Sequence, residues 1–233
     1  MVITTLANYI KEIERNCSRD ADGYLFRGQL KIDKLKPKLF REGAEIELKK
    51  ERTMLRDFKR KSQPYINIVP QSEYEWLALA QHHGMVTRLL DWTSNALAAI
   101  WFTVTDDRKS TKADGVVWRL SYDNAEIKHP KFDDIPFDIQ KTEIFFPTHI
   151  DARFIAQGGW FTIHDNKESL NEDKKFKEKF VSITIPRNCF KNIRFSLNRC
   201  GVNNVSLFPD YMGLCRHLNW RYSNKYGKRD NAL

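Results

Sequence analysis

Residues 77–104, LALAQHHGMVTRLLDWTSNALAAIWFTV, constrain this chain more than any other stretch. On the amino-terminal flank Trp76, Leu77, Leu79 and Ala80 recur at helical spacing, and on the carboxy-terminal flank Ala96, Leu97, Ala99, Ile100 and Phe102 do the same. Two apolar helices therefore enclose Gln81, His82, His83, Thr87, Arg88, Asp91, Thr93, Ser94 and Asn95. A buried polar group without a partner costs roughly 1–3 kcal/mol, so this density predicts a hydrogen-bonded network or a ligand pocket. Capping accounts for part of it, because Asp91 and Thr93–Asn95 also suit a helix start. Capping leaves Gln81, His82, His83 and Arg88 without a role.

Around this stretch the periodicity predicts a helix from Thr5 to about Glu14 and a strand through LFRGQ. Further helices are predicted over Glu42–Lys61, Ser72–His82 and Asn95–Thr105. Strands follow at Val116–Tyr122, Glu143–Phe146, Gly159–His164, Val181–Pro186 and Asn192–Phe195, with 165–179 read as a charged, mobile loop. A helix-rich first half and a strand-rich second half imply one α+β domain. The 233 residues, 41% hydrophobic with 15 Phe and 6 Trp, hold ample material for its core. Phe208-Pro209-Asp210 reads as a turn in which Asp210 caps a short helix.

No apolar run approaches the roughly 18–20 residues of a membrane span, and the amino terminus lacks a signal-peptide pattern. Cys17, Cys189, Cys200 and Cys215 show no C-x-x-C spacing and read as reduced thiols. These features predict a cytoplasmic protein with no membrane partner. Dinucleotide-binding G-x-G-x-x-G, Walker A and H-E-x-x-H signatures are missing, and no spacing points to a metal.

With 39 Lys and Arg against 30 Asp and Glu, the net charge is +9, which favours an anionic partner and steers nucleic acid toward the protein. The excess is concentrated in residues 49–61 and 216–229. The second segment interleaves aromatics with cations, which suits base stacking beside phosphate contacts. Its candidate nucleic-acid contacts are Arg216, Trp220, Arg221, Tyr222, Lys225, Lys228 and Arg229. A solvated tail is the other reading.

Phe26-Arg27-Gly28, then Gln81-His82-His83-Gly84 and Thr87-Arg88-Leu89-Leu90-Asp91-Trp92-Thr93, resemble the FRG domain. RFIAQGGWF (153–161) and GVNNVSLFPDYMG (201–213) resemble its later motifs. The resemblance divides the chain into a helix at 1–19, an FRG-like domain at 20–218 and a basic tail at 219–233. Its motif order in turn resembles ADP-ribosyltransferases, which implies a split sheet and NAD as cofactor. There an Arg in a Tyr-Arg-Gly-like strand holds NAD, a Ser/Thr-rich strand supports the nicotinamide ribose, and a later strand supplies a Glu. The resemblance implies cofactor contacts from Arg27, Gly28, Gln81, Arg88, Thr93 and Ser94, and chemistry from Arg27, Asp91, Glu143 or Gln157. Gln157 stands at the more FRG-like position but carries no charge, so Glu143 or Asp91 would supply it.

The implied function is a toxin or phage-defence effector that transfers ADP-ribose to RNA, DNA or an associated protein and is held in check by an antitoxin or regulatory protein. A noncatalytic nucleic-acid-binding module and a metal-independent nuclease based on His82 or His83 are the alternatives. Arg27, Arg88, Asp91, Thr93 and Gln157 are expected to converge on one cleft. Removal of Arg27 from an exposed strand end should leave the fold intact.

Overall fold

The computed structural model describes residues 1–17, 21–31, 33–44, 46–105, 112–148, 152–165 and 168–223. One seven-stranded mixed sheet organises them. In chain order its strands are β1 (Gly23–Leu30), β2 (Leu89–Thr93), β3 (Gly115–Tyr122), β4 (Ile127–Lys128), β5 (Glu143–Phe145), β6 (Gly159–Ile163) and β7 (Phe180–Ile185). Across the sheet they run β4-β5-β6-β2-β1-β3-β7. Neighbours are antiparallel except β4 and β5. Five of the seven strands lie from residue 115 onward, so the α+β class and the strand-rich second half stand.

Side chains alternate across each strand, and this alternation divides the core. On one face Phe26, Leu30, Val117 and Ile183 pack against α1 (Leu6–Asn16), α4 (Ala96–Val104) and α6 (Phe190–Arg199). On the same face Leu89, Phe145, Phe161 and Ile163 pack against α2 (Glu51–Ser62), α3 (Glu73–His82) and α5 (Ala152–Gln157). The opposite face, with Leu25, Leu90, Trp92 and Leu120, is closed by Leu35, Leu170 and Phe176 from irregular segments. Two further helices follow, α7 (Asn204–Leu207) and α8 (Tyr211–Arg221).

The helix ends follow their caps. Thr5, Ser72 and Asn95 each accept a backbone N–H with their side chains at the starts of α1, α3 and α4. Asp210 accepts from Gly213 N at 2.7 Å and caps α8, as its sequence context predicts. Gly84, at φ 96°, closes α3 in a conformation that other residues adopt only with strain. It turns the chain back toward β2.

Three expectations are corrected. The helix predicted over Glu42–Lys61 begins only at Glu51, because the residues before it form 3-10 turns at 38–40 and 48–50. The strand predicted over Asn192–Phe195 is part of α6, where Phe190, Ile193 and Leu197 bury one face at helical spacing. The segment read as a mobile loop is anchored, since Leu170 and Phe176 are buried and Leu170 N donates to Leu35 O at 2.9 Å. All four cysteines are free thiols. No described helix is long and apolar enough to cross a membrane.

Candidate functional site

β1 and β2 pair at a single position, Phe26 with Thr93, and then part. A cleft of about 1370 Å³ opens there, between α4 and α6 on one side and α3 and α5 on the other. Arg27 alternates away from Phe26, and its guanidinium lies where the ladder between the two strands stops. Nη1 donates to the Asp91 carbonyl at 2.7 Å and stands 3.7 Å from Asp91 Oδ2, while Nε donates to Gln29 Oε1 at 3.1 Å. No described residue accepts from Nη2. Burial pulls the Arg27 pKa below its ordinary value, an effect that Asp91 opposes.

The Asp91 carboxylate is 56% exposed, with Gln81 Nε2 at 3.3 and 3.4 Å from its two oxygens. Gln81 is held in turn by the Thr87 hydroxyl, which donates to its Oε1 at 2.8 Å. Thr93 donates its hydroxyl to the Gln157 carbonyl. The Gln157 side chain donates to Leu207 O at 2.9 Å, which ties β2, α5 and α7 together at one end of the cleft. His82 lines the wall, stacked on Phe154 with centroids 4.5 Å apart, whereas His83 is exposed outside it. Eight Lys and Arg side chains line the cleft against two carboxylates, Asp33 and Asp91, so its field is strongly cationic.

Residues 22–112 match the FRG domain, and no curated protein and no solved structure matches the chain. Over residues 22–112 the chain carries an FRG domain. Phe26 enters the core beneath α4. Gly28 lets α4 approach: a Cβ there would lie 1.8 Å from Ala99 O and 2.4 Å from Thr103 Oγ1. Gly28 thus makes room for a helix, although it also lines the cleft. Only the middle letter of the motif presents a polar group to that space. The FRG match ends at residue 112, whereas α5, α6 and α8, which complete the cleft, come later in the chain.

The structure brings Arg27, Gly28, Gln81, Asp91, Thr93 and Gln157 to the cleft and leaves three expected residues out. Arg88 is buried beneath α2, where its backbone N–H and Nε each donate to the Glu51 carboxylate at 2.8 Å. Burial raises the Glu51 pKa and Arg88 opposes the rise. Glu143 lies on β5, two strands from β2, and accepts from the Tyr74 hydroxyl at 3.4 Å. Ser94 is exposed and turns to Gly158 O at 3.5 Å. Gly158 is held at φ 57°, where a side chain would be strained and a Cβ would meet Ser94 Oγ at 2.7 Å.

In the carboxy-terminal segment, Arg216 and Trp220 line the cleft, while Arg221 and Tyr222 are exposed outside it. The segment placed at 219 begins inside α8, not after it. Lys225, Lys228 and Arg229 lie outside the described residues.

Two buried polar residues that do not line the cleft, Glu51 and His164, were not singled out from the sequence. Glu51 is fully buried but looks like one charge among many in KKERTMLRDFKRK. His164 Nε2 lies 3.0 Å from Thr162 Oγ1, which accepts from Trp92 Nε1 at 3.1 Å. Burial, aided by the nearby Arg27 charge, pulls the His164 pKa down to about 3 and keeps the ring neutral. The alternation of β6, with Thr162 and His164 on the face opposite Phe161 and Ile163, was the available signal.

Proposed function

We propose that the FRG domain binds NAD in this cleft and transfers ADP-ribose to an acceptor. The observation that carries the reading is Arg27 beside Asp91 where the strands part: a guanidinium with Nη2 left over, next to an exposed carboxylate. A guanidinium matches pyrophosphate oxygens and stays charged at any working pH. The resemblance to ADP-ribosyltransferases, with an Arg on a first strand and a parted sheet, supports the same assignment. NAD supplies an ADP-ribosyl group on a glycosidic bond whose electron pair leaves with nicotinamide as the acceptor's bond to the same carbon forms and the acceptor's proton passes to solvent.

Within the protein, Arg27 holds the phosphates. Asp91 faces the positive charge that develops on the sugar, where a carboxylate lowers the barrier. Gln81 orients Asp91 through its amide. Thr93 and Gln157 fix the floor, since both side chains are committed to main-chain carbonyls.

Labelled NAD incubated with the protein and RNA, DNA or lysate tests this reading. Transfer by the wild type and a loss of about 100-fold or more in Asp91→Asn are expected, the scale seen when one transition-state charge interaction is removed. Failure of NAD to bind in calorimetry would overturn it. A domain that holds a nucleotide without turning it over is the second reading. It is favoured by one observation: no glutamate lines the cleft among the described residues.

A further inference from the structure

We infer that the outer wall of the cleft, built from α6 and α8, is a track for single-stranded nucleic acid, the acceptor of the transfer. Small-ligand pockets take roughly 300–1,000 Å³. At about 1370 Å³ this cleft exceeds that range and has room for a second reactant beside a dinucleotide.

Its two ends also differ in chemistry. The inner end holds Arg27, Gln81, Asp91 and Thr93, polar groups tied to strands. The outer end alternates cations with half-buried rings. Arg194 stacks over Trp220 at 4.6 Å, Lys191 stands 5.7 Å from the Phe195 centroid, and Arg216 stands 5.8 Å from that of Phe208. Phe195 and Trp220 pack together at 5.5 Å, which joins α6 to α8 as one surface.

Such a surface offers cations to a backbone and, in guanidiniums backed by rings, planes against which unpaired bases stack, a combination that holds single strands with little sequence preference. A duplex hides its base faces and would forgo this stacking. The track thus rests on α6 and the inner face of α8, with Lys191 and Arg194 as contacts that the basic carboxy-terminal segment did not suggest. The acceptor role rests on the transferase reading, whereas binding of the strand does not.

The test is fluorescence anisotropy with a labelled single-stranded oligonucleotide, and with its duplex, across a salt series. Lys191→Gln with Arg216→Gln should weaken single-strand binding and flatten the salt dependence by about 0.7 in logarithmic slope for each phosphate no longer neutralised. Arg56→Gln with Arg60→Gln, which removes equal charge from the exposed side of α2, serves as the control and should leave both unchanged. An equal loss in the control, or duplex binding as tight as single-strand binding, would overturn the track. NAD binding to the wild type is measured separately by calorimetry. Oligonucleotide binding without NAD binding would leave the track standing and remove the transferase reading. NAD-dependent labelling of protein but never of the oligonucleotide would remove the track as an acceptor site.

Discussion

Arg27 and Arg88 occupy the two motifs most easily recognised in the sequence, one on β1 and the other immediately before the adjacent β2, yet the fold uses them in opposite ways. Arg88 is 7% exposed and its Glu51 partner 0%, with the carboxylate taking both its backbone N–H and its Nε. Nothing of that charge is left for a ligand. Arg27 is 16% exposed, its nearest carboxylate is 3.7 Å away and mostly in solvent, and it lines the cleft. A fully neutralised arginine fastens α2 to β2. A partly neutralised one, held open by parted strands, is prepared for an anion.

The largest expected effect follows from breaking the fastener. Arg88→Met strands a buried carboxylate, which typically costs about 3–5 kcal/mol and, for a chain of this size, lowers Tm by roughly 10 °C. Adding Glu51→Leu should restore much of the loss, because apolar pairs often replace buried ion pairs at little cost. Thermal unfolding of the single and double variants checks both.

His164 joins the two arginines: its backbone N–H donates to Arg88 O at 3.2 Å and its ring lies near Arg27. Its folded-state pKa of about 3 lies below the ordinary 6.5. The unfolded chain therefore binds the proton more tightly, so stability is whole above pH 6.5 and falls as pH drops toward 3. The slope is at most about 1.4 kcal/mol per pH unit. Between pH 7 and pH 5 the wild type should lose about 2 kcal/mol in denaturant titrations. His164→Gln, whose amide can still meet Thr162, should lose less.

Arg27→Gln should cost about 1–3 kcal/mol, because the Asp91 carbonyl and Gln29 lose their donor at the parted strands. The expected exposed strand-end setting is corrected: Arg27 is 16% exposed and bonded to Gln29 and the Asp91 carbonyl. The contrast with Arg88 lies in binding: Arg27→Gln should abolish NAD affinity, while Arg88→Met should leave it unchanged per folded molecule. The smallest stability effect belongs to Asp91→Asn, about 0.5 kcal/mol or less for an exposed pair, despite the expected loss of transfer. Tm and label transfer measured on one preparation separate the two quantities.

Most of the element pattern could be read from the chain because it is local. The caps Thr5, Ser72, Asn95 and Asp210, the apolar flanks of α3 and α4, and the alternation of β3 and β6 are each contained within a few residues. The errors lay where partners are distant. Arg88 pairs with a residue 37 positions upstream, so its sequence context matches that of a ligand contact. Gly28 lines the cleft as expected, but the space left by its missing side chain is taken by α4, with Ala99 above it. Glu143 begins an apolar strand as a catalytic Glu would, but the strand order places it two positions from β2. The convergence of Arg27, Asp91, Thr93 and Gln157 was legible because each interrupts an apolar element with a polar group. The cationic wall of α6 was not, because Lys191 and Arg194 there, and Arg187 just before it, are ordinary surface cations until the cleft unites them.

The central claim, that the Arg27 guanidinium was left open for a phosphate, is tested most directly by a crystal structure of the protein soaked with NAD. The account predicts a pyrophosphate oxygen within hydrogen-bonding distance of Arg27 Nη2 and the nicotinamide ribose facing Asp91. NAD bound elsewhere, or a guanidinium that meets only Asp91 and Gln29 while the cleft admits no nucleotide, would contradict it.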